Sequence, residues 1–486
     1  MILNTMKTVE MNWLIKNLII KKVLVFIIIF SSTYAKSQNL ADSLSHYYLK
    51  KDFDKANFFA DKWIDQLRFL KDTTSLNYAD CMYLKASINE EKDSAEKYYL
   101  SALNIYRTNF KPESGNYRSC LTKVANFYLI KTKKYEQGII LFDELVKINE
   151  KLRGQETNEY AFLLENLALK YQTVGLNDKA EPLFITALNI LEKNIGKNNN
   201  IYLTTLSKLA TFNDVIGSYD KATQLQKECL QLTKKIFGEK SSNYYNSINN
   251  LATIYQHQGD NNSALKLYME SKDIRKSIVG ENHPDYLTAL NNLAICYDEM
   301  GNYKAAEALY VNALSLMTTK NIDYALTIAN LGNFYNKLSN YKKAENFLKE
   351  SLQIIETILG EQYPKYTIVL NNLAINYVDQ GDFATGEDLY NESLRILNNS
   401  FGKNNVAQFL TLNNLALMHK TMGNLELAEK RYDECATIAK KYFGENDPKY
   451  LTLQNNLASL LFEKEDYVKA EIILLKVISQ KKESFW

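Results

Sequence analysis

The 486-residue chain is poor in most of what proteins use for chemistry. Its five cysteines (Cys81, Cys120, Cys229, Cys296 and Cys435) are an odd number and widely scattered. None forms a CxxC or a Cys/His cluster of metal spacing, so neither a disulfide framework nor a metal site is read. The four histidines (His46, His257, His283 and His419) pair with no Cys, Ser or carboxylate in a catalytic motif. No GxxxxGK[ST] or GxGxxG phosphate loop occurs. No charge sign dominates: 58 basic residues face 56 acidic ones, for a net +2. Nucleic acid needs a concentrated basic face, and none is present. Only 5 prolines and 17 glycines argue against long disordered linkers. The chain is therefore read as non-enzymatic, with no cofactor, no metal and no nucleic-acid partner.

What the chain does have is a phrase, Asn291-Asn292-Leu293-Ala294, copied at Asn249-Asn250, Asn371-Asn372, Asn413-Asn414 and Asn455-Asn456. Weaker copies are Glu165-Asn166-Leu167-Ala168, Ser207-Lys208-Leu209-Ala210 and Ala329-Asn330-Leu331-Gly332. The leucines are spaced by 42 residues, except for one gap of 38 between Leu293 and Leu331. A fixed period of this size means a solenoid, whose core grows along one axis and so accommodates a long chain without a composition break.

Within one unit, His283-Pro284-Asp285-Tyr286 opens a helix, since proline and aspartate suit a first turn. Leu290, Leu293, Ala294 and Tyr297 give it one apolar face. Gly301-Asn302 breaks it. A second helix from about Lys304 places Ala306, Leu309, Tyr310, Ala313 and Leu314 inward, with small residues at 306 and 313 for close approach. Gly238, Gly280, Gly360, Gly402 and Gly444 end the second helices. Each unit is an antiparallel helix pair. Cys229 and Cys435 stand where Ala187, Ser271, Ala313, Ser351 and Ser393 stand elsewhere, and so read as packing residues.

At the front, Lys21-Lys22, the apolar run Val23 to Phe30 and the exit Ala35-Lys36-Ser37-Gln38 read as a signal peptide over residues 1–37, cut after Ser37. Eight apolar residues are too few to span a bilayer. An extracytoplasmic chain, periplasmic or secreted, is expected, attached to a membrane only if this segment stays uncleaved. Residues 38–121 carry degenerate repeats, and residues 122–478 the regular array. The unit opened by Val124-Ala125 has one extra residue before Gly138. Residues 479–486 form a stub whose Phe485 and Trp486 nothing in the sequence covers. Either the chain is cut short here or docks on another molecule, or the two residues fold back.

The pattern Leu-Ala-x-x-Tyr, Gly-x-Tyr-x-x-Ala, Leu-Tyr-x-x-Ser/Ala-Leu resembles the tetratricopeptide repeat (TPR). The 42-residue period, the doubled Asn and the Gly280-to-Tyr286 linker resemble its kinesin light chain class. The resemblance implies an all-α, right-handed superhelical solenoid of about 10–11 repeats that binds protein. Two departures stand out: the unit after Leu314 is four residues short, and Gln226 replaces the tyrosine of Tyr268, Tyr310, Tyr390 and Tyr432. The signal peptide with a long array also resembles the N-terminal part of bacterial proteins that continue into a caspase-like CHAT peptidase. That gives an alternative role as a sensor arm.

On a helical wheel, Asn292, Ile295 and Glu299 fall opposite the packed side. The resemblance implies that this side lines a groove. Side-chain amides there, each with two donors and an acceptor, suit the backbone of an extended peptide. The candidate binding residues are Asn166, Asn250, Asn292, Asn330, Asn333, Asn372, Asn414, Asn456 and His257. The competing reading is that the asparagines bond to neighbouring helix pairs, which is the reading preferred for Asn291 and its equivalents. The groove charges are mixed (Lys208, Glu299, Lys337, Asp379 and Glu463), with no basic clamp for a C-terminal carboxylate.

Overall fold

The computed structural model describes residues 36–483 apart from 91–93, 110–113, 133, 134, 174, 362, 444 and 446. The signal segment up to residue 35 and the pair Phe485 and Trp486 lie outside the described residues. The described residues are all-α and form two compact units, which meet in sequence at Gly154 and Gln155.

The first unit holds α1 (36–49), α2 (Phe53–Phe69), α3 (Leu76–Ile88), α4 (Ser94–Asn109), α5 (Gly115–Asn126) and α6 (Tyr135–Arg153). Tyr47 of α1 stacks on Phe59 of α2. Ser37, at the expected cleavage point, is buried in α1 and accepts a hydrogen bond from Trp63 Nε1 at 2.9 Å. A π-helical stretch, Phe127–Thr132, follows α5. Such a turn takes up one additional residue, which accounts for the extra residue of this repeat. It also presses Leu129 onto Gly138: a Cβ on that glycine would lie 2.6 Å from Leu129 Cγ.

The second unit is eight helix pairs. They are α7 (Asn158–Thr173) with α8 (Asn177–Ile195), α9 (Asn200–Val215) with α10 (Tyr219–Phe237), and α11 (Ser242–Gln258) with α12 (Asn261–Val279). Then come α13 (Pro284–Glu299) with α14 (Tyr303–Leu316), and α15 (Ile322–Lys337) with α16 (Tyr341–Leu359). The last are α17 (Pro364–Asp379) with α18 (Phe383–Phe401), α19 (Phe409–Thr421) with α20 (Leu425–Tyr442), and α21 (Pro448–Glu463) with α22 (Tyr467–Glu483). The pairs close on small residues. Ala168, Ala210, Ala252 and Ala294 of the first helices and Ala180, Ala222, Ala264 and Ala306 of the second are all fully buried. Where Leu348 replaces the usual tyrosine, the facing alanine becomes Gly332, because a Cβ there would lie 2.8 Å from Leu348 Cγ.

The turns follow from residue chemistry. Gly301, at φ +74°, takes the left-handed conformation that glycine adopts without a steric penalty. The next residue, Asn302, caps α14 by accepting from the Ala305 N–H at 3.3 Å. His283 Nδ1 caps α13 in the same way, accepting from the Asp285 N–H at 3.2 Å. Cys229 and Cys435 are buried, and each thiol faces a carbonyl of its partner helix, that of Leu203 and of Phe409. Ser351 donates to Ala325 O from the equivalent place. The short repeat is accommodated by α14, which stops at Leu316, and by a Met317–Asn321 linker without glycine. On α22, Ala470 and Val477 are buried, while Ile472, Leu475 and Ile478 remain exposed.

Two turns near the start of the second unit rest against the linker before α21. Asn177 Nδ2 donates to Tyr442 O at 2.8 Å, across 265 residues of chain. Gly217 lies against Asp447, where a Cβ would come within 2.6 Å of the carboxylate. Asp447 is buried, accepts from the Lys449 N–H, and leaves Oδ2 without a hydrogen-bond partner. Burial pushes its carboxyl above the ordinary range, and the nearby Asp214 charge adds to the effect. The folded chain thus holds this proton more tightly than the unfolded chain. Ionised Asp447 opposes folding at neutral pH, and the penalty vanishes as pH falls below the unfolded value. Asp447→Asn, which keeps a capping oxygen, is expected to raise the melting temperature by a few degrees at neutral pH. In acid below the carboxylate range it is expected to change little. Thermal melts at the two pH values check this.

Candidate functional site

The first helices of successive repeats touch directly, α9 with α11, α13 with α15, α15 with α17, α17 with α19 and α19 with α21. On this shared face the doubled asparagines form a ladder between repeats. The second Asn of one repeat donates to the first Asn position of the repeat before it. Asn292 Nδ2 reaches Asn249 Oδ1 at 3.1 Å, Asn330 reaches Asn291 at 3.2 Å, and Asn456 reaches Asn413 at 3.2 Å. Asn250 donates to Ser207 Oγ at 3.2 Å, and Lys208 pairs with Glu165. The weaker copies at Glu165-Asn166 and Ser207-Lys208 thus keep the ladder with other chemistry.

A second ladder runs two helical turns further on. His257 Nδ1 lies 3.0 Å from both carboxylate oxygens of Asp214, Lys337 Nζ donates to Asp298 at 2.6 Å, and Lys420 pairs with Glu463 at 3.0 Å. Asn336 Nδ2 donates to Asp379 at 3.1 Å. Burial raises the Asp379 carboxyl above its ordinary range, and the Asn336 bond offsets part of that rise. The mixed groove charges are therefore mostly paired between repeats, and Glu299 is the exposed carboxylate with no ion pair or hydrogen bond among the described residues.

The expected binding residues divide accordingly. Asn250, Asn292, Asn330 and Asn456 each give an amide hydrogen to the ladder, and His257 faces Asp214. Asn166 is exposed and bonds back to Phe162 O of its own helix at 2.8 Å. Asn333, Asn372 and Asn414 have no hydrogen-bond partner among the described residues. The causes lie in the neighbours. Asn372 faces the repeat whose first Asn is replaced by Ala329, which has no acceptor. Asn371 occupies the acceptor position for Asn414, but its Nδ2 donates to Thr411 Oγ1 at 2.8 Å and its Oδ1 is buried without a partner. The ladder is thus broken at two consecutive junctions, α15–α17 and α17–α19.

The same junctions expose apolar side chains that the sequence reading passed over. Ile368 is 54% exposed, Leu410 63% and Leu417 47%. Ile368 and Asn372 lie one turn apart on α17, and Leu410, Asn414 and Leu417 lie along one stripe of α19. The signal was present in the chain: the position five before the repeat leucine is Thr204, Asn246 and Thr288 in three units but Leu326, Ile368 and Leu410 in the next three. Untied amides beside exposed aliphatic groups provide backbone hydrogen bonding and apolar contact together. Among the described residues no cluster of three or more His, Cys, Asp or Glu is arranged to hold a metal ion. No described helix is long and apolar enough to cross a membrane.

The repeat geometry defines a helix-pair solenoid. The chain belongs to the tetratricopeptide repeat family, whose pattern matches residues 202–277, 243–319, 324–399 and 407–483, together more than half of the chain. No curated protein sequence matches the chain. Among solved structures it is similar to BtubC (BKLC) from P. vanneervenii, at 21% identity and TM-score 0.37, over 49% of this chain and 90% of that one. It is similar to a Podospora anserina protein whose name carries both kinesin light chain and nearly identical TPR-like repeats, at 18% identity and TM-score 0.29, over 50% and 97%. A Rap protein in complex with competence and sporulation factor is also similar, at 14% identity and TM-score 0.48, over 75% and 98%.

The two kinds of asparagine should respond differently to truncation. Asn292→Ala strands the half-buried Asn249 amide and is expected to cost about 1 kcal/mol of stability. Asn372→Ala removes no internal hydrogen bond and is expected to leave the melting temperature within error of the parent. Equal losses for both in thermal melts would contradict the division.

Proposed function

We propose that the chain is an exported scaffold of the kinesin light chain kind, holding an extended protein segment along α15, α17 and α19. The observation that carries this reading is the break in the asparagine ladder. Asn333, Asn372 and Asn414 present amides with nothing to bond, next to exposed Ile368, Leu410 and Leu417. A peptide backbone satisfies amides in any sequence, and its side chains cover aliphatic groups. Membership of a repeat family built for protein contact supports the same partner class.

The test is selection from a displayed library of random peptides. Selected peptides are expected to bind the double variant Asn372→Ala, Asn414→Ala at least about tenfold more weakly, the worth of one hydrogen bond at the upper end of its range. Leu410→Asp is expected to weaken them as well, with helicity by circular dichroism unchanged in both. Undiminished binding to both variants would refute the site.

Export rests on the Lys21-to-Gln38 pattern. The secreted form is expected to begin near Gln38, read by N-terminal sequencing. Recovery of an intact cytosolic form overturns export and leaves the groove untouched. The alternative role, a sensor arm of a longer caspase-like CHAT peptidase, rests on resemblance alone. Sequencing the gene beyond Trp486 decides it.

A further inference from the structure

The Gln226 repeat holds a cavity on the same first-helix face, between α9 and α11 with α10 at its floor. Its volume is about 360 Å³, within the range of ligand sites. Thr204, Ser207, Asn246 and Asn250 form the walls, and Cys229 and Thr233 the floor. Behind this lining lies a local exchange of residue types. Where neighbouring repeats bury an aromatic ring, such as Phe184, Tyr268 or Tyr310, this one buries Gln226.

The replacement is bonded, not loose. Ser207 Oγ donates to Gln226 Oε1 at 3.3 Å, and Gln226 Nε2 donates to Ser247 O at 3.1 Å, so the glutamine ties α10 to both first helices. Asn250 joins through Ser207, and Thr233 and Ser247 share a hydrogen bond at 3.3 Å. The walls are thereby held in place without a ligand. Thr204 and Asn246 sit where Leu326, Ile368 and Leu410 stand in later repeats, which leaves the mouth polar and open.

We infer that this cavity is a side-chain subsite of the groove, selecting an uncharged residue that carries an amide or hydroxyl in the bound segment. The inference rests on the peptide-binding reading above. The lining chemistry selects the class. The one cation at the wall, Lys208, is engaged by Glu165, so a charged side chain entering here would lose water without gaining a counter-charge. An apolar side chain would cover the Asn246 amide without bonding it, while Asn243 already donates to Asn200 at 3.2 Å. An Asn, Gln, Ser or Thr side chain offers a donor and an acceptor to a wall that presents both.

The experiment compares the full chain with the double variant Thr204→Leu, Asn246→Leu in selection from the random-peptide library. The fold already accepts Leu or Ile at this place in three repeats, and thermal melts confirm that the variant is folded. Peptides selected by the parent are expected to share one position fixed as Asn, Gln, Ser or Thr. Those peptides are expected to bind the filled variant about tenfold more weakly. Peptides selected on the variant are expected to keep their aliphatic positions and lose the fixed polar one. If the parent selects peptides with a charged or apolar residue there, or with none fixed, the subsite is overturned and the groove reading stands. The same holds if the polar preference survives filling. If the parent enriches no peptide, the groove reading fails, and the subsite with it.

Discussion

Close approach of two helices through small side chains is the constraint on which the rest of this structure depends. A single pair in this chain has too little apolar surface to fold alone. It becomes stable by closing on itself at Ala294 and Ala306 and then stacking on its neighbours. Tyr310 is buried among Ala325, Ala329 and Phe334 of the next pair, and Leu293 among Ala252, Ala264 and Tyr268 of the preceding one. The repeat therefore fixes two residues by size and one by bulk, and leaves the rest of each helix free. Cys229, Cys435 and Ser351 show how tightly size is held. Each occupies the same small site, and each turns its polar atom onto a carbonyl of its partner helix.

Stacking also decides what happens on the first-helix face. Each position of a first helix meets the position one earlier in the repeat before it, so a doubled polar residue meets a neighbour of its own kind. Asparagine suits this arrangement, because one amide donates while the next accepts. The Glu165–Lys208 pair solves the same problem with charge, and the Asp298–Lys337 pair does so on the second ladder, where Asp214 also meets the His257 ring. These bonds set the lateral register of the pairs. They also occupy the groups that a partner would otherwise use.

The fold was legible in the sequence because it is periodic. The leucine spacing located the first helices, Gly301-Asn302 the turn, and His283-Pro284 the cap. The extra residue before Gly138 was visible in the spacing, but that a π-helical stretch takes it up was not readable. The site was legible only in part. The wheel placed Asn250, Asn292, Asn330 and Asn456 together on one first-helix face, yet the face alone does not tell a bonded amide from a free one. That depends on residues about forty positions away, such as Ala329 opposite Asn372. The contact of Gly217 with Asp447 was invisible for the same reason, since no local pattern links them.

On the proposed reading, function in such an array resides where periodicity fails. A perfectly regular ladder would satisfy every amide internally and present a surface with little left to recognise. Ala329 in place of Asn removes one acceptor and frees Asn372. Thr411, fully buried beside α17, draws Asn371 away and frees Asn414. Gln226 stands where most repeats bury a ring, and its bonds to Ser207 and to the Ser247 carbonyl hold two residues that line a polar cavity. Each departure is conservative enough for the helix pair to close, because the small residues that control closure, Ala210 with Ala222 and Ala374 with Gly386, are kept. The chain thus separates two tasks by position: the buried small residues hold the solenoid together, and substitutions on the first-helix face decide which amides are left unbonded.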